Sequence, residues 1–468
     1  MRRALFVSYF FPPLGGGGVP RAQKLAKYLP AFGWEPHVLT VRDGFWSAWD
    51  PTPLSELPPE VRIHRTPILM PGIAAKRLLS RLGLRDARAD ACADAPSVRE
   101  KGTWPERARE IFRKAVYVPD EFIGWLPFAV HAGRRIVREQ GIEAVISTSP
   151  PHTAHLAARA IARAAGIPWV ADFRDAWTRD PYFRHGAGWR GGVERALERR
   201  VVRDATRIVT VSDPIREAFL ADHPALDPHA VQVIPNGFDP DDFRGGALRE
   251  EILPRPERFT VVYAGGLISH DSPRVFLEAL AACARAGGPR VEAIFAGTEQ
   301  AEIRAEAERA GVADRVRMAG YLPAREACAL MRAADATLLL LRDHPGADGV
   351  LSGKIFQYLG SGRPILALAP EGAAADLVRK TGAGIVLAPH DAPGVARALH
   401  AWARAKAEGK PVEGANREAT APYTRRRAAE RFAAILNDLG PRSARDVKSD
   451  SLGPRSARDL GVEEVARG

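Results

Sequence analysis

The run Gly349-Val350-Leu351-Ser352-Gly353-Lys354-Ile355-Phe356-Gln357-Tyr358 carries a pattern that could hold an anion. Small residues lead into a short helical pattern, with one lysine near its start. Backbone N–H groups, the helix dipole and an ammonium together suit a diphosphate. Lys354 also stands apart: of 67 basic residues only ten are lysine, and none lies between Lys114 and Lys354. Gly353-Lys354 resembles the end of a P-loop, but Asp348 stands where that motif needs Gly and Ile355 where it needs Ser or Thr, which excludes an ATPase of that kind. Gln357, one turn on, projects from the same helix side and can hydrogen-bond a ribose. The alternative is a helix start with a solvated lysine.

Other loops offer complementary groups. Gly15-Gly16-Gly17-Gly18 follows the first apolar run, and glycines let backbone approach a ligand closely. The loop lacks the G-x-G-x-x-G spacing and no acidic residue ends the next strand, which argues against nicotinamide or flavin. Asp172-Phe173-Arg174-Asp175 and the upstream His152 place carboxylates, a guanidinium and an imidazole near one strand edge, a mixture that suits sugar hydroxyls. An Asp–Arg pair pinning a loop, with a surface His, explains the same residues. Gly265-Gly266 and Gly297 follow two later strands and again permit close approach. Asp239-Pro240-Asp241 has the D-x-D spelling of some metal enzymes but lies in a linker, where a structural role is expected. No H-E-x-x-H or comparable metal-ligand cluster occurs.

Such residues need strand ends to position them. Ala4–Phe10, Glu35–Thr40, Ala144–Ser147, Ile167–Asp172, Arg207–Val211 and Val231–Ile234 read as strands, several separated by helical periodicity. A Pro-, Asp- and Gly-rich stretch from Asp239 to Pro256 then reads as a linker. A second series begins at Phe259–Ala264 and continues through Val291–Ala296, Val316–Met318, Ala336–Leu341, Pro364–Leu368 and Gly384–Leu387. Continuous apolar strands alternating with helices predict parallel sheets covered on both faces. The expected organisation is a domain over 1–240 with a basic helical insertion at about 70–140, a second over 256–412, and a C-terminal helix within 413–439 that packs back on the first. The 440–468 tail repeats Leu439–Asp446 at Leu452–Asp459 and is expected to be disordered.

Composition narrows the classes. The 468 residues are 46% hydrophobic and 26% charged, a globular balance that suggests two domains. Met1-Arg2-Arg3 and the apolar run after it could pass for a signal peptide, but Pro12-Pro13 and four glycines follow, so a buried first strand is expected. Three scattered cysteines exclude a disulfide framework and suit a reducing cytoplasm. The net charge of +11 comes without a nucleic-acid module, so no nucleic-acid partner is expected. Arg77, Arg81, Arg85 and Arg88 beside Leu78, Leu79 and Leu82 could form a basic amphipathic helix on an anionic membrane surface. An ordinary solvated face is the alternative.

With these motifs quoted, the chain resembles the family 4 glycosyltransferases of the GT-B fold, over residues 1 to about 437, and within them the branch of bacterial surface-polysaccharide assembly. The resemblance rests on the glycine loop, Pro168–Trp177, Val211-Ser212, Ile234-Pro235-Asn236-Gly237-Phe238-Asp239, Lys354–Leu359 and Gly362-Arg363-Pro364. It implies α/β architecture with two doubly wound Rossmann-like domains and a cleft between them. It also implies transfer from a nucleotide-diphosphate sugar to a glycan or lipid-linked acceptor, retaining anomeric configuration, with no metal and no cofactor. Lys354 and the backbone of Leu351, Ser352 and Gly353 would meet diphosphate or donor sugar. Gln357 would meet ribose, the main chain at Tyr321 and Leu322 the base, and Gly16 and Gly17 the diphosphate from the other side. Asp172, Arg174 and Asp175 would face acceptor or transferred sugar. The family's two-glutamate motif is absent, with Gly349 and Gln357 at its positions. The Arg usual after the first second-domain strand is Gly266, and the following Lys falls at Asp271 or Ser272, leaving one phosphate anchor of three. The competing readings are a non-catalytic nucleotide-sugar-binding subunit and a GT-B sugar-nucleotide epimerase.

Overall fold

The apolar runs become strands of two separate parallel sheets. A computed structural model describes residues 1–42, 49–69, 117–180, 188–267, 272–297, 300–410 and 412–439. The N-terminal sheet contains β1 (Arg2–Val7), β2 (Trp34–Val41), β3 (Arg62–Thr66), β4 (Ala144–Ser149), β5 (Trp169–Phe173), β6 (Arg207–Thr210) and β7 (Val231–Val233), in the order β3-β2-β1-β4-β5-β6-β7. The C-terminal sheet contains β8 (Phe259–Ala264), β9 (Val291–Ala296), β10 (Val316–Met318), β11 (Ala336–Leu340), β12 (Ile365–Leu368) and β13 (Gly384–Leu387), in the order β10-β9-β8-β11-β12-β13. Every pairing is parallel.

Helices cover both faces, so alternate side chains of one strand enter different cores. Leu5 and Val7 join one cluster, whereas Ala4 and Phe6 join the other. Val262 and Ala264 divide in the same way from Val261 and Tyr263. This is why the central strands lack hydrophobic–polar alternation. In each sheet the strand order reverses, between β1 and β4 and between β8 and β11. Beyond the carboxyl ends of those strands the loops diverge and leave a crevice. The two crevices receive the glycine loop after β1 and the loop from β11 to the helix Gly353–Ser361.

The chain passes between lobes twice, and the two passages touch. Phe238 bridges Thr424, the Phe238 N–H donates to the Tyr423 carbonyl at 3.0 Å, and the Arg425 N–H donates back to Phe238 at 2.8 Å. A Cβ on Gly237 would sit 2.5 Å from the Tyr423 oxygen, so only glycine allows this approach. After the second passage the helix Arg425–Asp438 buries Ala429, Phe432 and Leu436 in the N-terminal lobe, among Phe6, Ala22 and Leu25.

Two of the elements not placed from the sequence show what its pattern misses. Edge strand β3, Arg-Ile-His-Arg-Thr, pairs only with β2, and a half-exposed edge does not demand an apolar run. The helix Trp189–Asp204 is rich in arginine and weakly amphipathic, so its periodicity gives little signal. Of the expected insertion at 70–140, the described part contains the helix Leu126–Gln140, which packs Ala129, Ile136 and Val137 into the N-terminal core. The amphipathic pattern at 73–88 and the repeat-bearing tail lie outside the described residues. Among those described, no helix is long and apolar enough to cross a membrane.

Candidate functional site

A cavity of about 590 Å³ opens between the lobes, within the size range of small-molecule sites. Gly17, Gly18, Arg174, Asp175, Asn236 and Arg425 line it from the N-terminal side and the crossing segments. Asp348, Gly349, Val350, Leu351, Ser352 and Gly353 line it from the C-terminal lobe. The Ser212 hydroxyl donates to the Gly349 carbonyl across the lobes at 2.9 Å, and a Cβ at position 349 would lie 3.4 Å from Ile215 Cγ1.

Ser352 caps the helix Gly353–Ser361, its hydroxyl accepting the Lys354 N–H at 3.4 Å. Gly353 is exposed, so the first turn is open to a ligand. The Lys354 side chain runs to the end of β8, where its ammonium donates to the Gly266 carbonyl at 2.7 Å and lies 5.2 Å from the centre of the Tyr263 ring. Gly265 has φ +120°, and a Cβ there would come within 2.6 Å of Lys354 Cε. What Gly265 provides is therefore passage for the lysine, since its own N–H is engaged by Ala296 at 2.8 Å. The Gly297 N–H is similarly engaged by Gly320, at 3.0 Å. Tyr321 is exposed and Leu322 is core. Gln357 is half-buried, and its amide has no hydrogen-bond partner among the described residues.

The N-terminal loops separate three residues that the sequence grouped. Asp172 does not face the cleft, contrary to the expected acceptor-side role. Its carboxylate is fully buried and held by Arg21 at 2.6 and 2.8 Å and by the Thr148 hydroxyl at 2.8 Å, leaving no edge for a substrate. Arg174 does line the cavity, but its guanidinium is tied to carbonyls: Ser149 at 2.8 Å, Gly18 at 2.5 Å and Pro150 at 2.5 Å. It thus joins the glycine loop to the loop after β4. Asp175 lies on the cavity wall. Burial, reinforced by Asp180, pushes its carboxyl up to about 6 against the pull of Arg174. His152 is likewise not presented to the cavity; its ring stacks on Trp177 with centroids 4.3 Å apart.

Arg21 and Arg425 were missed. Arg21 also reaches the carbonyls of Ile234 and Pro235, at 3.0 and 3.1 Å, tying the first helix to the linker. Only the excess of arginine pointed toward them, and 57 arginines hide two. Asp239 is structural: Lys24 and Lys27 each contact it at 2.8 Å and the Tyr28 hydroxyl donates at 2.7 Å. Burial raises that carboxyl, but the two ammoniums outweigh it and hold it well below the usual carboxylate range. Glu56, Asp239 and Asp242 converge closely enough for a metal ion, yet the Lys24 ammonium bonds all three. A resident cation of the chain itself fills that position.

Residues 16–237 match the family model described as a glycosyl transferase 4-like domain, and residues 258–404 match glycosyl transferases group 1. A D-inositol 3-phosphate glycosyltransferase of Segniliparus rotundus is 31% identical over 190 residues, covering 38% of this chain and 41% of that protein. A 2-deoxystreptamine glucosyltransferase of Streptomyces kanamyceticus is 28% identical over 213 residues, covering 44% and 53%. The chain thus spans about half the length of the curated relatives it matches. The fold resembles Anabaena HepE in complex with UDP and glucose, with TM-score 0.57 and 16% identity over 94% of this chain and 100% of that one. It also resembles sucrose-phosphate synthase from Thermosynechococcus elongatus, with TM-score 0.59 and 17% identity over the same shares. At such identities the likeness is one of fold, and the fold is GT-B.

Proposed function

We propose that this chain, which belongs to the glycosyl transferase 4-like family over residues 16–237 and to the glycosyl transferases group 1 family over residues 258–404, transfers a sugar from a nucleotide-diphosphate donor to a glycan or lipid-linked acceptor. The observation that carries this reading is the cavity between Gly17-Gly18 and the open helix start at Ser352-Gly353. One wall is an open helix start, whose N–H groups and dipole suit a diphosphate, and the other is a glycine loop that permits close approach.

In transfer the bond between the sugar's anomeric carbon and the diphosphate oxygen breaks. The bonding electrons leave with the diphosphate, so negative charge grows on it. Donors already oriented at that point stabilise the developing charge without reorganising. Lys354 is assigned to this role from the family resemblance: it directly follows Ser352-Gly353 of the cavity wall, and its ammonium lies at the end of β8, on the Gly266 carbonyl at 2.7 Å. Gln357 offers an amide for the ribose, and Asp175 and Arg174 line the N-terminal wall that is assigned to the acceptor or transferred sugar.

We further infer retention of configuration and independence of added metal. Retention follows the family resemblance. Metal independence is supported by basic and backbone donors at the cavity and by Lys24 filling the carboxylate trio. An envelope-glycan acceptor, reached by contact with an anionic cytoplasmic membrane face, belongs to the same reading. UDP and UDP-glucose are the first probes because HepE was crystallised with them. The test combines a thermal shift with UDP, release of UDP from UDP-sugars with and without EDTA, and NMR of the product's anomeric centre. A rise in melting temperature with the diphosphate, turnover that survives EDTA and a retained anomer are expected. Absence of any shift across the nucleoside diphosphates would sink the donor reading.

A further inference from the structure

Arg425 opens the helix Arg425–Asp438 and is only 8% exposed, yet it lines the cavity. A buried guanidinium ordinarily finds a carboxylate. This one makes a single side-chain hydrogen bond, to the Asn236 amide oxygen at 3.3 Å, an oxygen that also takes Arg21 at 3.4 Å. Among the described residues no carboxylate is in ion-pair contact with it. Its neighbours do not compensate. Arg21 spends its charge on Asp172, while Arg174 is satisfied by three neutral carbonyls. Burial and the repulsion of those two arginines outweigh the pull of Asp242 and Asp239 and push the Arg425 guanidinium down to about 9. Asp175, Asp180 and Asp348 share the cavity lining, but none pairs with Arg425.

We propose that Arg425 is a phosphate-binding residue, presenting its guanidinium to an anionic phosphate held between the glycine loop and Ser352-Gly353. This rests on the donor reading above and deepens it. Arg425 supplies a cation to the cavity from the returning helix. A guanidinium's planar fork matches phosphate oxygens, and charge-assisted contacts of this kind are the strong ones. The phosphate is either the donor's diphosphate or that of a phosphate-bearing lipid acceptor.

Calorimetric titration of the full chain with UDP, uridine and farnesyl diphosphate separates these sources. Arg425→Gln is expected to weaken a diphosphate about ten- to a hundredfold, as for loss of one charged hydrogen-bonding group, and to leave uridine unchanged. Loss confined to farnesyl diphosphate assigns the acceptor phosphate, whereas loss of UDP affinity assigns the donor. Unchanged affinity for both in folded Arg425→Gln overturns the proposal. Should that variant not fold, Arg425→Lys keeps the charge without the fork. Three- to tenfold weaker diphosphate binding then supports the contact, and wild-type affinity overturns it. A wild-type chain that bound neither diphosphate would sink the donor reading and this inference together, while binding indifferent to Arg425 sinks the inference alone.

Discussion

Replacing Asp172 by Ala should unfold the N-terminal lobe more easily, with little change in the cavity it was expected to serve. The carboxylate is wholly buried and Arg21 is 2% exposed. The substitution leaves Arg21 charged, buried and without its counter-ion. Breaking such a pair from one side costs about 3–5 kcal/mol, because the desolvation already suffered is no longer compensated. With a urea slope of about 2–3 kcal/mol per M, the midpoint should fall by roughly 1–2 M. Tryptophan fluorescence reads this lobe selectively, since Trp34, Trp125, Trp169 and Trp177 are buried there and the C-terminal lobe has only Trp402. The double variant Arg21→Met, Asp172→Leu should lose less than the two single changes summed, because it strands no charge. A wild-type urea midpoint for Asp172→Ala, combined with lost transfer and intact donor binding, would refute this reasoning and restore Asp172 as a catalytic group.

Three further outcomes follow from the site. Lys354→Ala should lower turnover by about 10²–10³, the scale of one lost transition-state donor, with an unchanged melting temperature; steady-state kinetics beside a melting curve checks it. Gly265→Ala should give a similar loss by displacing the lysine, and also cost about 1–3 kcal/mol for a side chain at φ +120°. Its refutation would be wild-type kinetics and stability together. Asp175 titrates at about 6 when folded against about 3.9 when unfolded, so its contribution to stability is full below about pH 4 and lost as pH rises through 6. Asp175→Asn should therefore be more stable than wild type at pH 7.5, by about 3 kcal/mol, and converge with it near pH 4. Equal urea-midpoint gaps at both pH values would count against the raised carboxyl.

What the sequence determined is the part written in local, repetitive terms. Buried parallel strands must be apolar on both faces, so β8 through β13 could be read to within a residue of their ends. Ser352, Gly353 and Lys354 could be found because a helix start needs a cap and an anion needs donors within a few residues of one another. Strand β3 escaped because an edge strand tolerates Arg, Ile, His, Arg and Thr in alternation. Only the tertiary structure decided which polar groups are spent on the fold. Asp172 and Arg174 lie two residues apart, yet one is locked by Arg21, 151 positions earlier, and the other turns to carbonyls at the cavity wall. Arg425 reached the cleft only because Ala429, Phe432 and Leu436 carry its helix back onto the first lobe. Coulombic pairing and burial are set by distances in space, and partners separated by hundreds of residues leave no spacing in the chain from which to infer them.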